Sequence, residues 1–161
     1  MRELTEKDVR AAFVNSSRSR VRAATMPASW PDDLAERDLL GWSDAKAPRR
    51  AYLVTDATGE LVALEQRRPD GGTGSGRSTL CDWCRTTDAP DGARLMVAQL
   101  AGARGRAGDT VGLYVCGDFE CSRRARQPLK PHQVSVSGAE DRRVPELVER
   151  VAQFVERVQR G

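Results

Sequence analysis

Hydrophobic positions near the N-terminus follow a helical period. In Leu4-Thr5-Glu6-Lys7-Asp8-Val9, Thr5 can cap, Asp8 can complete a capping box and Leu4 can staple onto Val9. Val9 and Phe13 then share a face. The pattern predicts a helix that continues through 18–22 and finishes before Pro27. A turn at Trp30-Pro31-Asp32-Asp33 leads to a short helix expected over 34–40, closed by Gly41-Trp42.

The middle of the chain changes period. Ala51-Tyr52-Leu53-Val54 and Leu61-Val62-Ala63-Leu64 are rich in strand formers and flank Asp56-Ala57-Thr58-Gly59. Two such runs around such a turn predict an antiparallel hairpin. Residues 94–100 and 110–116 are two further strand candidates, with a Gly- and Arg-rich loop over 101–109. A helix is expected from about Asp118 to Arg126, stopped by Pro128. The last helix should start near Pro145, a residue suited to a first turn. There Leu147, Val151, Phe154 and Val158 recur at spacings of 4, 3 and 4, while Glu146, Glu149, Arg150, Gln153, Glu156 and Arg157 fill the other face. Such a helix docks on the sheet of its own domain. The expected class is α+β: a small antiparallel sheet with an N-terminal helix and a C-terminal amphipathic helix packed on it. Flexible loops are expected over 69–77 and 127–143. The first contains Gly71-Gly72-Thr73-Gly74-Ser75-Gly76, which lacks the GxxxxGK[ST] pattern and the following helix of a phosphate-binding loop.

Composition sets the scale. With 161 residues, 39% hydrophobic and 5% aromatic, the chain suits a single domain spanning 1–161 with a modest, mainly aliphatic core. The 26 basic and 23 acidic side chains nearly cancel, leaving +3, so neither an acidic tail nor a histone-like basic chain is the theme. No stretch reaches the ~18 apolar residues of a membrane span. The charged opening MRELTEKDVR is followed by no apolar signal core. A cytosolic protein with reduced thiols is the expectation, which directs attention to the cysteines.

All four cysteines fall into two pairs, Cys81-Asp82-Trp83-Cys84 and Cys116–Cys121, separated by 31 residues. A CxxC turn can aim two sulfurs at one point. Cys116 ends a predicted strand and Cys121 lies in the first turn of a predicted helix, whose N-terminus places partial positive charge near the thiolates. Knuckle, hairpin and helix together make a treble clef over about 78–127. Zinc favours four soft donors in a tetrahedron, and four protein ligands leave no open position. The expected cofactor is therefore one structural zinc ion, which with four thiolates lowers the formal charge from +3 to +1. Two disulfides would require an oxidising compartment, and a redox CxxC would leave the second pair idle.

Other chemistry is thin. His132, the only histidine, follows Pro131 in an expected loop without a nucleophile context, and no paired-carboxylate or triad signature is present. The chain does not read as an enzyme. Arginine outnumbers lysine 23 to 3, and Arg104, Arg106, Arg123, Arg124, Arg126 and Lys130 cluster near the expected metal module. Guanidinium forks suit phosphate, so ribosomal or other RNA is an alternative partner, although Arg85, Arg123 and Arg124 also serve to neutralise the thiolate cage.

The order Gly41-Trp42, Ala51-Tyr52-Leu53-Val54, CDWC, Gly112-Leu113-Tyr114-Val115-Cys116 and Cys121, closed by an amphipathic helix with Phe154, resembles the C-terminal treble-clef domain of the elongation factor G-binding proteins, the FusB-type fusidic acid resistance family. The resemblance runs from about Leu4 to the C-terminus. It implies an α+β domain with structural zinc on Cys81, Cys84, Cys116 and Cys121, and elongation factor G as partner, freed from ribosomes on which fusidic acid has trapped it. Contact positions implied by the resemblance fall on Leu80, Tyr114, and Val151 or Phe154, with Arg123 and Arg124 beside them.

Overall fold

The computed structural model describes residues 1–69, 79–90, 92–129 and 141–161. The glycine run 71–76, His132 and most of the two expected loops lie outside these residues. Among the described residues a five-stranded antiparallel sheet runs in the order β1 (Leu39–Asp44), β2 (Ala47–Thr55), β3 (Val62–Arg67), β4 (Ala93–Gln99) and β5 (Thr110–Cys116). The helices are α1 (Glu6–Ala11), α2 (Arg18–Ala23), α3 (Gly102–Arg106), α4 (Cys121–Arg126) and α5 (Arg143–Gln159), with one 3₁₀ turn at Leu34–Glu36.

The predicted start of α1 is present. Thr5 Oγ1 accepts from the Asp8 N–H and the Asp8 carboxylate accepts from the Thr5 N–H, both at 3.1 Å. Leu4 and Val9 are buried together. The single long N-terminal helix is corrected, however: it breaks after Ala11. The reason lies in the sheet. β3 and β4 pair only through Gln66↔Ala98 and Arg67↔Val97, so the earlier part of β3 lacks a partner on that side. A strand edge needs hydrogen bonds, and the chain after α1 supplies them. Ala63 N–H donates to Ala12 O (2.9 Å) and Val14 N–H to Ala63 O (3.1 Å). Asn15 completes the plug: its amide donates to Glu65 O and Gln99 O, both at 2.9 Å, and its carbonyl accepts from the Glu65 N–H. One side chain thus ties β3 to β4 where the strands diverge.

The helix expected over 34–40 is also corrected. It shrinks to the 3₁₀ turn, and Leu39, Leu40, Gly41 and Trp42 form β1, paired with Thr55, Val54, Leu53 and Tyr52. Both faces of this strand are covered, so its apolar residues run consecutively instead of alternating. Leu39 joins the core shared with α5 and the cysteines, while Leu40 joins the core beneath α1. Gly41 ends no helix. A Cβ there would stand 2.4 Å from the Phe119 ring, so glycine lets the metal-side loop pack onto β1. The loop expected over 101–109 contains α3, a single helical turn.

The second core has a polar anchor. Asp44, buried at the end of β1, accepts from the Tyr52 hydroxyl (2.7 Å) and from the Lys46, Thr25 and Ala47 N–H groups at 2.8–3.2 Å. Burial pushes its pKa up, but the Tyr52 and backbone hydrogen bonds outweigh this and hold it well below the usual carboxylate value. A pKa lower in the folded than in the unfolded chain adds stability above the unfolded value of about 4, and that stability is lost as the pH falls from there towards the folded value. The melting temperature should therefore drop between pH 6 and pH 3, and drop less steeply in Asp44→Asn. Acid also protonates thiolate ligands, so the informative quantity is the difference between the two chains measured side by side; identical slopes would refute the assignment.

Candidate metal centre

The long connection from β3 to β4 carries the first cysteine pair, and the junction of β5 with α4 carries the second. The knuckle is a closed turn: Arg85 N–H donates to Cys81 O and Cys81 N–H to Thr86 O, both at 3.0 Å, with Arg85 in the left-handed region at φ 56°. It is then stapled to β5. Asp82 N–H donates to Tyr114 O (2.7 Å), and the Asp82 carboxylate accepts from Tyr114 N–H (2.8 Å). On the other side, β5 ends at Cys116 and turns through Gly117-Asp118-Phe119, with Phe119 N–H donating to Cys116 O (3.0 Å). Phe119 adopts φ 58°, a strained conformation for a bulky residue. The turn delivers Cys121 as the first residue of α4, three positions later than the expected start of that helix.

All four cysteines are buried, and none is in a disulfide. Their sulfurs lie within 4.8 Å of one another, with Cys81–Cys121 at 3.7 Å and Cys84–Cys116 at 3.5 Å. Four sulfurs bound tetrahedrally at about 2.3 Å from zinc stand about 3.8 Å apart, so the donor set has the right size. Its protonation also calls for a cation. Hydrogen bonds from Cys116, Cys121 and Cys84 hold the Cys81 thiol far below its usual value, whereas contact with Cys116 and Cys81 pushes Cys121 far above. Four thiols so crowded cannot all ionise unless a positive ion offsets their charge. The cluster is the site of one structural zinc ion, held by Cys81, Cys84, Cys116 and Cys121.

Around the cage a second set of residues fixes its parts; Arg124 and Arg126 were singled out from the sequence, whereas the roles of Asp118, Ser122, Asp38, Arg37 and Glu120 were not. Arg124 forms a two-pronged pair with Asp118 (2.8 and 2.5 Å). The Asp118 carboxylate, with Cys116 and Cys121 adding to it, raises the Arg124 pKa above its ordinary value. Ser122 Oγ accepts from Asp38 N–H (3.0 Å), and Arg126 grips the Asp38 carboxylate at 2.6 and 3.0 Å. Arg37, 5% exposed, reaches both Asp33 (2.8 Å) and Glu120 (2.9 and 3.1 Å). α4 is thereby bolted to the start of β1. Trp83 fills the knuckle, meets Phe154 of α5 edge-on at 5.9 Å, and its carbonyl accepts from Arg150 (2.6 Å). Arg124–Asp118 and Arg37–Asp33 are local pairs, six and four positions apart, but the contacts that join α4 and the knuckle to the rest of the fold span 67 to 88 positions and leave no local signal.

The residues implied as contacts divide sharply. Leu80 (39%) and Tyr114 (45%) are the exposed large hydrophobics among the described residues. Val151 and Phe154, by contrast, are 0% exposed, buried in the core between α5 and the cysteines. Their place on the surface is corrected: they hold the helix down and present nothing outward. Arg123 is exposed and paired with Asp33 (2.8 Å), while Arg124 is committed to Asp118.

No curated protein and no solved structure gives a significant match to the chain. No helix among the described residues is long and apolar enough to cross a membrane. A family model, the FBP C-terminal treble-clef zinc-finger, matches residues 8–158. That span takes in most of α1, the whole sheet, both cysteine pairs and nearly all of α5, so the chain belongs to the FBP C-terminal treble-clef zinc-finger family.

Proposed function

We propose that this domain is a non-catalytic binding module that engages elongation factor G, in the manner of target-protection proteins. The observation that carries the reading is the exposure of Tyr114 and Leu80 on the zinc-clamped seam between knuckle and β5. Exposed apolar anchors on a rigid support lose little conformational freedom on binding, and tyrosine is common among the residues that dominate interfaces. The four-thiolate cage leaves the metal no free position for chemistry. The domain acts by binding one conformation of the factor better than others, which shifts the factor's population towards it.

Calorimetric titration with purified elongation factor G tests the reading. Tyr114→Ala should weaken binding about tenfold or more while zinc content and melting temperature stay at their wild-type values. Absence of binding by the wild-type chain at about 100 μM, near the weak limit for specific partners, would end it. The alternative of RNA binding through arginines near the metal has less support. Arg104 is paired with Asp109, Arg123 with Asp33, Arg124 with Asp118 and Arg126 with Asp38.

A further inference from the structure

A different set of arginines stands at the far end of β2 and β3. Arg49 and Arg50 lie in the first half of β2, Arg67 closes β3 and Arg68 follows it. Strand pairing sets Arg50 directly opposite Arg67, and Arg68 N–H donates to Arg49 O (2.8 Å). Like charges opposed across two strands work against folding, so sheet stability does not account for this arrangement. The four arginines line a groove of about 720 Å³ together with Val97 and Thr110. Beyond Arg67 it meets a second hollow of about 250 Å³ that Arg20 lines. Among the described residues lining the two, Arg20, Arg50, Arg67 and Arg68 meet one carboxylate, Glu65, which Arg20 (2.9 Å) and Arg50 (3.7 Å) already share. Arg67 is exposed, and Arg68 Nε is buried with no acceptor.

We propose that this groove binds the phosphodiester backbone of a nucleic acid. Guanidinium forks match phosphate oxygens two at a time. Arg50 and Arg67 stand side by side on one face of the sheet, about 4.8 Å apart across the strands, and Arg49 and Arg68 follow one position on, with alternate direction; at this end of the strands all four line the one groove, a cluster of cations suited to a polymer of anions. Ala47, Pro48, Pro69 and Val97 supply apolar walls to the groove, but no aromatic side chain lines it; the exposed Leu80 and Tyr114 belong to the knuckle and β5 instead. It also lacks the aromatic platform on which unpaired bases stack. Contact is therefore with the backbone of a helical stem, independent of sequence.

Fluorescence anisotropy tests this with the full, zinc-loaded chain and two labelled hairpins, one RNA and one DNA, each with a stem of about 16 base pairs. At low salt the chain binds at least one of them, and affinity falls steeply as salt rises. Whichever hairpin binds more tightly identifies the natural source. Arg67→Glu combined with Arg68→Glu weakens binding at least tenfold. The milder pair Arg67→Ala and Arg68→Ala lowers the slope of log affinity against log salt by about 1.8, the share of two phosphates on a duplex. Both double variants retain zinc and their melting temperature, because loss of Arg67 relieves its repulsion with Arg50. Arg142→Glu, at an exposed arginine preceding α5, leaves binding unchanged. Failure of the wild-type chain to bind either hairpin would overturn the proposal, as would unchanged affinity in the double variants or an equal loss in Arg142→Glu. A polyglutamate peptide bound as tightly as the hairpins would assign the groove to an acidic protein instead. The elongation factor titration reads a separate surface, so either idea can fail alone.

Discussion

Replacing Cys84 with serine is expected to cost the domain its metal and its fold together. Serine is a hard, poorly ionised donor, and its substitution leaves three thiolates where zinc requires four ligands. Binding of structural zinc supplies about 10–16 kcal/mol in small zinc domains, while a whole domain is stable by only about 5–15 kcal/mol. The cage is also where the domain's parts meet: Cys81 and Cys84 come from the knuckle, Cys116 from β5 and Cys121 from α4. The expected result is a zinc content falling from one ion per chain to near zero, with loss of the cooperative thermal transition by circular dichroism. A strong chelator should bring the wild-type chain to the same state. A Cys84→Ser chain that melts at the wild-type temperature would refute a structural role for the metal.

The second large effect separates the two readings of Phe154. Its ring is fully buried and packs edge-on against Trp83, so truncation to alanine removes both transfer energy and packing. Phenylalanine-to-alanine changes in cores cost about 3–5 kcal/mol, which for a domain of this size corresponds to a melting temperature lower by on the order of 10 °C. Phe154→Leu should recover much of the loss, because volume matters more than aromaticity at a packed site. If Phe154 instead served as a contact, Phe154→Ala would melt normally and fail only in binding. Tyr114→Ala is the converse case, with stability retained and affinity lost. Measuring both quantities on both variants places each side chain on the inside or the outside of the molecule.

Local chemistry was legible where neighbours in sequence are also neighbours in space. The Thr5–Asp8 capping box, the amphipathic stripe of α5 and the β4 and β5 strands each rest on contacts within a few residues or on one uniformly covered face. The errors share one cause. Residues 12–16 have a helical pattern, yet unpaired backbone on β3 recruits them as a partial strand. Leu39 and Leu40 read as the end of a helix, but β2 draws them into the sheet and two cores claim their opposite faces. For Val151 and Phe154 the helical stripe and the family resemblance pointed opposite ways, inward and outward, and their burial in the core with the cysteines follows the stripe.

By itself, the sequence determined that a metal would organise this protein. Four thiols in two pairs, one in a tight turn and one across a strand–helix junction, carry their chemistry in residue type and spacing. Only the tertiary structure decided which charges remain available. The arginines around the metal are matched by Asp33, Asp38 and Asp118, which the fold brings beside them, while among the described residues Arg20, Arg50, Arg67 and Arg68 at the β2–β3 corner meet the one carboxylate of Glu65. The reason is that ligand identity belongs to single residues, whereas neutralisation depends on distance, and folding sets distances between side chains far apart in the chain.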